Sequence, residues 1–271
     1  MSPRNEGKQQ AVAALSKNLA VYPSLRDRVV LITGGGTGIG ESLVRYFVQQ
    51  GARVGFLDVQ DDASKSLVAQ LSECPTCPKP LFVHCDLVDT KTLREAIAEV
   101  ARTLGPVQVL VNNAGNDDRH AFEDVTPEYW DGRMAVNLRH QFFAIQAVVP
   151  GMRAAKAGSI INLSSITWKI PSVGQVAYVT AKAAIVGLTR TMAHELGAWN
   201  IRVNCLLPGA ILTERQRRLW WTPEYEEEIL SRQCLKRPIL PEEVARLALF
   251  LAADDSSAIT NQSYVIDGGW V

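Results

Sequence analysis

Short apolar runs alternate with stretches of helical spacing from residue 25 to the C-terminus, and that alternation leaves few folds open to the chain. The runs are Arg28–Thr33, Arg53–Leu57, Leu81–Cys85, Val107–Val111, Ser159–Leu163, Ile201–Leu207 and Gln262–Ile266. A brief apolar run bounded by turn residues reads as a strand buried on both faces. Between the runs, Glu41–Gln50, Asp62–Glu73, Thr90–Leu104, Tyr129–Arg153, Ala177–Ala198 and Pro241–Ala253 carry helical spacing; in the third, Leu93, Ile97 and Val100 share one face. Strands alternating with helices predict a doubly wound parallel sheet with helices on both faces. Right-handed crossovers then gather the strand C-termini along one edge. No repeat, low-complexity tract or linker follows residue 25, so a single seven-stranded α/β domain over 25–271 is expected. Hydrophobic residues make up 47% of the 271, ample for a deep core. Residues 1–24 are polar and alanine-rich, lack the apolar stretch of a secretory signal, and read as an N-terminal extension.

The first run leads straight into Gly34-Gly-Gly-Thr-Gly-Ile-Gly40 and a helix. Strand, glycine-rich turn and helix, in that order, are the context a dinucleotide fingerprint requires. Glycines let the backbone approach a pyrophosphate, and the helix N-terminus beyond them favours negative charge. The second run ends at Asp58, where a carboxylate accepts hydrogen bonds from the adenosine ribose and repels a 2′-phosphate. Thr37, placed where a basic residue would hold that phosphate, is uncharged, so the pair favours NAD over NADP. Asp86, after the third run, can meet the adenine amino group. Asn112-Asn-Ala-Gly115, after the fourth, supplies small and amide residues that suit the ligand crevice of an open parallel sheet.

Tyr178 and Lys182 are four residues apart at the start of a helix, hence on one face and one turn apart. A neighbouring ammonium favours the phenolate and should lower the tyrosine pKa, making Tyr178 able to exchange a proton with a substrate hydroxyl. Ser165 closes the fifth run and can offer its hydroxyl to the same oxygen. Asn137 sits in mid-helix, where asparagine is slightly unfavourable, and a functional amide is one reason to have it there.

Asn116-Asp-Asp-Arg-His120 is densely polar and is expected to overhang the crevice, where hydroxyl-rich ligands could use it. Leu212–Leu240 departs from the tight rhythm and reads as a substrate lid over 212–240, its Glu226-Glu-Glu228 run a solvated helix face. Of five cysteines, Cys85 and Cys205 fall in apolar runs and read as buried thiols. Cys74-Pro-Thr-Cys77 has the spacing of a metal or redox pair but no convincing further ligands. It reads as a proline-stiffened loop with reduced thiols in the cytoplasm, and no metal is expected. Net charge is zero and no apolar run reaches membrane-spanning length, so neither nucleic acid nor a membrane is expected as a partner.

Together, Thr33-Gly-x-x-x-Gly-x-Gly40, Asp86, Asn112-Asn-Ala-Gly115, Asn137, Ser165, Tyr178-x-x-x-Lys182 and Pro208-Gly209 resemble the short-chain dehydrogenase/reductase family from about Leu25 to the C-terminus. The resemblance implies a Rossmann fold, usually in dimers or tetramers. It implies a catalytic set of Ser165, Tyr178, Lys182 and Asn137, with Asn137 holding a proton-relay water. The cofactor site it implies comprises Gly34, Thr37, Gly38, Ile39, Gly40, Asp58, Asp86, Leu87, Asn113, Gly115, Tyr178, Lys182, Pro208, Gly209, Ile211 and Thr213. Tyr22-Pro-Ser-Leu25, Asn113-Ala-Gly-Asn-Asp-Asp-Arg-His120, Val136-Asn-Leu-Arg-His140, Gln233-Cys-Leu-Lys236 and Asp267-Gly-Gly-Trp270 are similar to the NAD-dependent D-xylose 1-dehydrogenases within that family. This implies oxidation of the anomeric hydroxyl of an aldopentose to the lactone, with Asn116, Ser165, Thr167, Gln175 and Tyr178 as the residues expected to meet the sugar; Trp168 is open to two readings, against a sugar face or packed in the core. Other substrates stay open: L-arabinose or another aldose, or a 3-oxoacyl thioester or steroid, the acyl case drawing on a basic patch of Arg215, Arg217 and Arg218. A nucleotide-binding regulator without turnover has no need of the full Ser165, Tyr178 and Lys182 set.

Overall fold

In the computed structural model, which describes residues 20–271, the apolar runs join into one parallel sheet. Its strands are β1 (Val29–Thr33), β2 (Arg53–Asp58), β3 (Leu81–His84), β4 (Val109–Asn112), β5 (Gly158–Leu163), β6 (Ile201–Pro208) and β7 (Ser263–Ile266), ordered β3-β2-β1-β4-β5-β6-β7. The chain winds from β1 outward to β3, then returns to lay β4 on the other side of β1. That reversal is the switch point at which a ligand crevice opens beyond the strand C-termini. The helices are α1 (Gly38–Gln49), α2 (Asp61–Ser72), α3 (Thr90–Leu104), α4 (Pro127–Met134), α5 (His140–Ala155), α6 (Val176–Leu196), α7 (Glu214–Leu219), α8 (Pro223–Arg232) and α9 (Pro241–Ala252).

Every residue of β1 and β4 is buried, as a sheet covered on both faces demands. Alternate side chains serve opposite layers. Val30 and Ile32 pack with Leu43 and Phe47 of α1, Leu67 of α2 and Ala248 of α9. Val29 and Leu31 pack with Leu93 and Val100 of α3, Ile145 and Met152 of α5 and Leu196 of α6.

Three features depart from or refine the reading of the sequence. The helix expected over Tyr129–Arg153 is interrupted by a π-helical turn, Ala135–Arg139, in which the His140 N–H reaches back five residues to the Ala135 carbonyl. Cys74 and Cys77 are joined by a disulfide where reduced thiols were expected; their Cα atoms lie 5.4 Å apart, within reach of such a bridge. Of the expected N-terminal extension, residues 1–19 lie outside the described residues, while the Tyr22 N–H donates to Gln50 Oε1 at 2.8 Å and Leu25 enters the core. No helix among the described residues is long and apolar enough to cross a membrane.

Candidate active site

The turns after β1 and β4 are sewn together. The Thr33 hydroxyl accepts the N–H groups of Asn113 and Ala114 at 3.1 and 3.2 Å, and Asn113 Nδ2 donates to the carbonyls of Thr33 and Gly34 at 3.0 and 2.8 Å. Gly38 has φ +59°, a conformation that needs glycine, and a Cβ there would lie 3.3 Å from the Thr213 methyl. Thr37 precedes α1 without capping it through its side chain, and its hydroxyl instead accepts from Gln60 at 3.3 Å. The first N–H groups of α1, beginning with Gly38, Ile39 and Gly40, are therefore not capped by that hydroxyl, and a helix N-terminus left so is suited to an anion.

Asp58, at the end of β2, is buried, its Oδ2 accepting the Gly36 N–H at 2.7 Å and its Oδ1 the Gln60 N–H at 2.9 Å. A Cβ on Gly36 would fall 2.6 Å from Ser64 Oγ and 3.0 Å from Asp58 Oδ2, so the turn has no room for a side chain beside the carboxylate. Asp86 follows β3 and accepts the Val88 N–H at 3.0 Å, with Leu87 buried beside it. At the far side, the Gly209 N–H after Pro208 donates to Ile266, Ile211 bridges to Ile239, and Thr213 caps α7 through Gln216. The expected cofactor positions thus lie along one sheet edge. A helix N-terminus, a carboxylate at the second strand and a closed glycine turn fit a dinucleotide, the carboxylate suiting a ribose with free hydroxyls.

Ser165, Tyr178, Lys182 and Asn137 come together from separate elements. A buried ladder sets α6 against the sheet: Asn112 Nδ2 donates to Asn162 at 2.9 Å, and Asn162 Nδ2 to Thr189 at 3.0 Å. Lys182 Nζ donates to the Leu163 carbonyl at 2.9 Å, 5.4 Å from the centre of the Tyr178 ring. The Ser165 hydroxyl accepts the Thr167 N–H at 3.2 Å and lies near enough to the Tyr178 phenol to favour its ionised form. Asn137, in the π turn, donates to the Arg133 carbonyl at 3.0 Å and to the Asn116 carbonyl at 3.1 Å, and accepts the Asn116 N–H at 2.8 Å. Gly115 lies where these groups converge: a Cβ there would be 3.1 Å from Lys182 Nζ and 3.2 Å from Asn137 Oδ1.

Burial dominates the protonation of this cluster. It pushes the Lys182 ammonium down to about 8, against the pull of the Cys205 and Asp117 side chains. It raises the Tyr178 phenol above its ordinary value, helped by Asp117 and opposed by Ser165 and Arg215. Sequence spacing points instead to a phenol lowered by Lys182; the amine is turned to Leu163, and desolvation of the phenol outweighs it. His140, fully buried at the start of α5, is pushed down to about 3, first by burial and then by the Lys182 charge.

Over this cluster lies the 116–120 loop. Thr167 Oγ1 and Trp168 Nε1 are buried with no hydrogen-bond partner among the described residues, as is Trp220 Nε1. Gln175 is the residue before α6 and makes no capping bond to it through its side chain. Asp117, Arg215, Gln216, Arg119 and Trp220 are groupings that sequence spacing does not show. Asp117 Oδ1 is ion-paired with Arg215, its Oδ2 accepts from Gln216 Nε2 at 2.7 Å, and Arg215 also donates to Asn116 Oδ1 at 3.3 Å. The Arg119 guanidinium lies 4.3 Å from the centre of the Trp220 ring and 5.8 Å from that of Tyr225. Arg215 is therefore engaged by a carboxylate rather than held in the basic patch considered for an acyl carrier. The partners are separated by 98 and 99 residues, so only the opposite charges of Asp117 and Arg215 hint at the first, and nothing in the spacing hints at Gln216.

The profile of the family described as "Enoyl-(Acyl carrier protein) reductase" matches residues 34–271. The chain is 50% identical to the D-xylose 1-dehydrogenase of Caulobacter vibrioides over 251 residues, covering 93% of this chain and 98% of the relative. It is also 50% identical over 248 residues to the probable galactose dehydrogenase GalD of Rhizobium meliloti, covering 92% and 96%. Among solved structures, a 3-oxoacyl-[acyl-carrier protein] reductase with bound NAD from Brucella melitensis superposes with a TM-score of 0.84 at 33% identity, covering 93% of this chain and 94% of the other. Sheet order, glycine turn and the Ser165–Tyr178–Lys182 cluster agree with these likenesses, and the chain belongs to the short-chain dehydrogenase/reductase family of oxidoreductases.

Proposed function

We propose that this enzyme oxidises the anomeric C1 hydroxyl of an aldose ring, D-xylose first among them, to the sugar lactone with NAD as the oxidant. The observation that carries the reading is the polar roof over Tyr178. Asn116 and the Asp117–Arg215 pair stand above it, and Thr167 Oγ1 and Trp168 Nε1 lie buried two and three residues after Ser165 with no partner among the described residues. Buried polar atoms without partners are costly, and ring hydroxyls would satisfy them. The 50% identity to a D-xylose 1-dehydrogenase supports the same substrate class, and the equal identity to a probable galactose dehydrogenase keeps D-galactose as the second candidate.

In this reading Tyr178 takes the proton of the C1 hydroxyl as its own phenolic proton passes to the relay beside Asn137, while Ser165 donates a hydrogen bond to the C1 oxygen. An oxidised nicotinamide held at this sheet edge would supply the acceptor for the C1 hydride, and C1 would then become the lactone carbonyl. Lys182 would hold the ribose of a bound nicotinamide nucleotide, and Asn137 positions the relay that returns the Tyr178 proton to solvent. Asp58 and the closed Gly36 turn favour a ribose without a 2′-phosphate. Helices α7 and α8 act as the lid over 212–240. We further infer a cytoplasmic homodimer or homotetramer, with the edge strand β7 open to a second copy. Its mass on a calibrated sizing column with light scattering tests that.

The deciding experiment is NADH formation with D-xylose, D-galactose, L-arabinose, D-glucose and L-fucose, repeated with NADP. A rate for one pentose with NAD well above the rest upholds the proposal. Silence across the panel, with activity on a 3-oxoacyl thioester or a steroid ketone in the reductive direction, overturns it.

A further inference from the structure

We propose that Asp117 is a positioning residue that clasps the lid: through Arg215 and Gln216 it holds α7 over Tyr178 and so closes the site on a small, hydroxyl-rich substrate. The inference rests on the sugar reading for the substrate it names, but the clasp itself rests on contacts alone. Asp117 uses both carboxylate oxygens on α7, one for Arg215 and one for Gln216. Arg215 extends the contact to Asn116 Oδ1, and Arg119 adds a second fastening by lying on the Trp220 ring at the end of α7. These three loop residues, 116, 117 and 119, all grip the same short helix and the residue after it.

The clasp is anchored at the chemistry. Both backbone polar groups of Asn116 are bonded to the Asn137 side chain, and Asn137 Oδ1 shares the neighbourhood of Gly115 with Lys182 Nζ. A line of direct contacts therefore runs from the proton-handling centre to the lid: Asn137, Asn116–Asp117, Arg215–Gln216. The ion pair is partly exposed, with 44% of the Arg215 side chain and 18% of the Asp117 side chain accessible. Water screening keeps such a pair weak enough to open in each turnover. A lid held by a deeply buried pair would open too rarely, and one with no polar fastening would have nothing to set its closed position.

Three variants test this: Asp117→Asn, Arg215→Met and the double variant. For the sugar turned over, each single change raises KM about tenfold with kcat within about threefold, the size of one partly exposed charge-assisted contact. Because both act through one pair, the double variant stays near tenfold rather than the hundredfold of independent effects, about 10 against 100. A second readout needs no substrate. Trypsin cuts the NAD-loaded enzyme after Arg217 or Arg218 several-fold faster in each variant than in the wild type, as a released α7 requires. Faster cleavage with no sugar oxidised leaves the clasp standing and sinks the sugar reading. Unchanged cleavage, or additive effects of the two changes on KM, overturns the clasp and assigns Asp117 to direct contact with substrate.

Discussion

Asn137 grips Asn116 by both of its backbone polar groups, accepting the N–H at 2.8 Å and donating to the carbonyl at 3.1 Å. One amide side chain thus holds the loop that forms the roof of the site, while its remaining N–H donates to the Arg133 carbonyl at 3.0 Å, inside the helix from which it springs. The π turn is what allows this. By shifting the backbone bond of His140 to the fifth residue back, it opens the ladder at the position where the Asn137 amide enters.

Replacing Asn137 with alanine removes these three hydrogen bonds from a fully buried position. Asn137→Ala is expected to lose about 2–4 kcal/mol of stability, counting roughly one per bond and the unsatisfied groups left behind. Urea unfolding measures the loss, and turnover should fall with it because the roof over Tyr178 is no longer held.

Tyr178→Phe keeps the ring and deletes the proton acceptor. Turnover is expected to drop by about 10²–10⁴-fold, the range of a lost general base. NADH binding, followed by its fluorescence, should change little. Retained turnover in the variant would assign the proton to another group.

Asp58→Ala is expected to lower kcat/KM for NAD by roughly 10–100-fold, the weight of hydrogen bonds to a charged acceptor. Activity with NADP should fall less or rise, because the repulsion of a 2′-phosphate goes with the carboxylate. Initial rates with both cofactors decide it; equal losses would mean that Asp58 only braces the Gly36 turn.

The His140 ring gives stability an acid limb. Its folded pKa of about 3 lies below the ordinary 6.5, so the unfolded chain binds the extra proton first as the solution is acidified. Stability is therefore full above 6.5 and is lost as the pH falls from 6.5 toward 3, by a few kcal/mol in order of magnitude. His140→Leu should flatten that limb in chemical unfolding at pH 7 and pH 4.5, whatever it does to stability at neutral pH.

Most of the fold was legible because its signals are local. Apolar runs of strand length, the glycine-rich turn over 34–40 and the helix that follows it announce a winding sheet without any knowledge of distant contacts. Tyr178 and Lys182 were legible for the same reason, a fixed spacing on one helix. What escaped depends on partners far apart in sequence or on solvation. The Asp117–Arg215 pair joins segments 98 residues apart. The direction of the Tyr178 pKa could not be read from the nearby lysine, because burial of the phenol decides it. The π turn left only Asn137, awkward in mid-helix, as its trace. Nothing in the spacing of Cys74 and Cys77 decides between free thiols and a bridge.

The extra residue in that turn also uncouples two rotations. In an unbroken helix, the face that α5 turns to the sheet through Ile145, Val148 and Met152 would dictate where every residue of α4 points, at a hundred degrees or so per position. The π turn slips this phase by about one residue. The packed half can then be optimised for the core, and the half that carries Tyr129 and Arg133 for the mouth, without either compromising the other. A single deletion within 135–139 would put the two back in step, and it should leave a folded sheet with a misaimed roof.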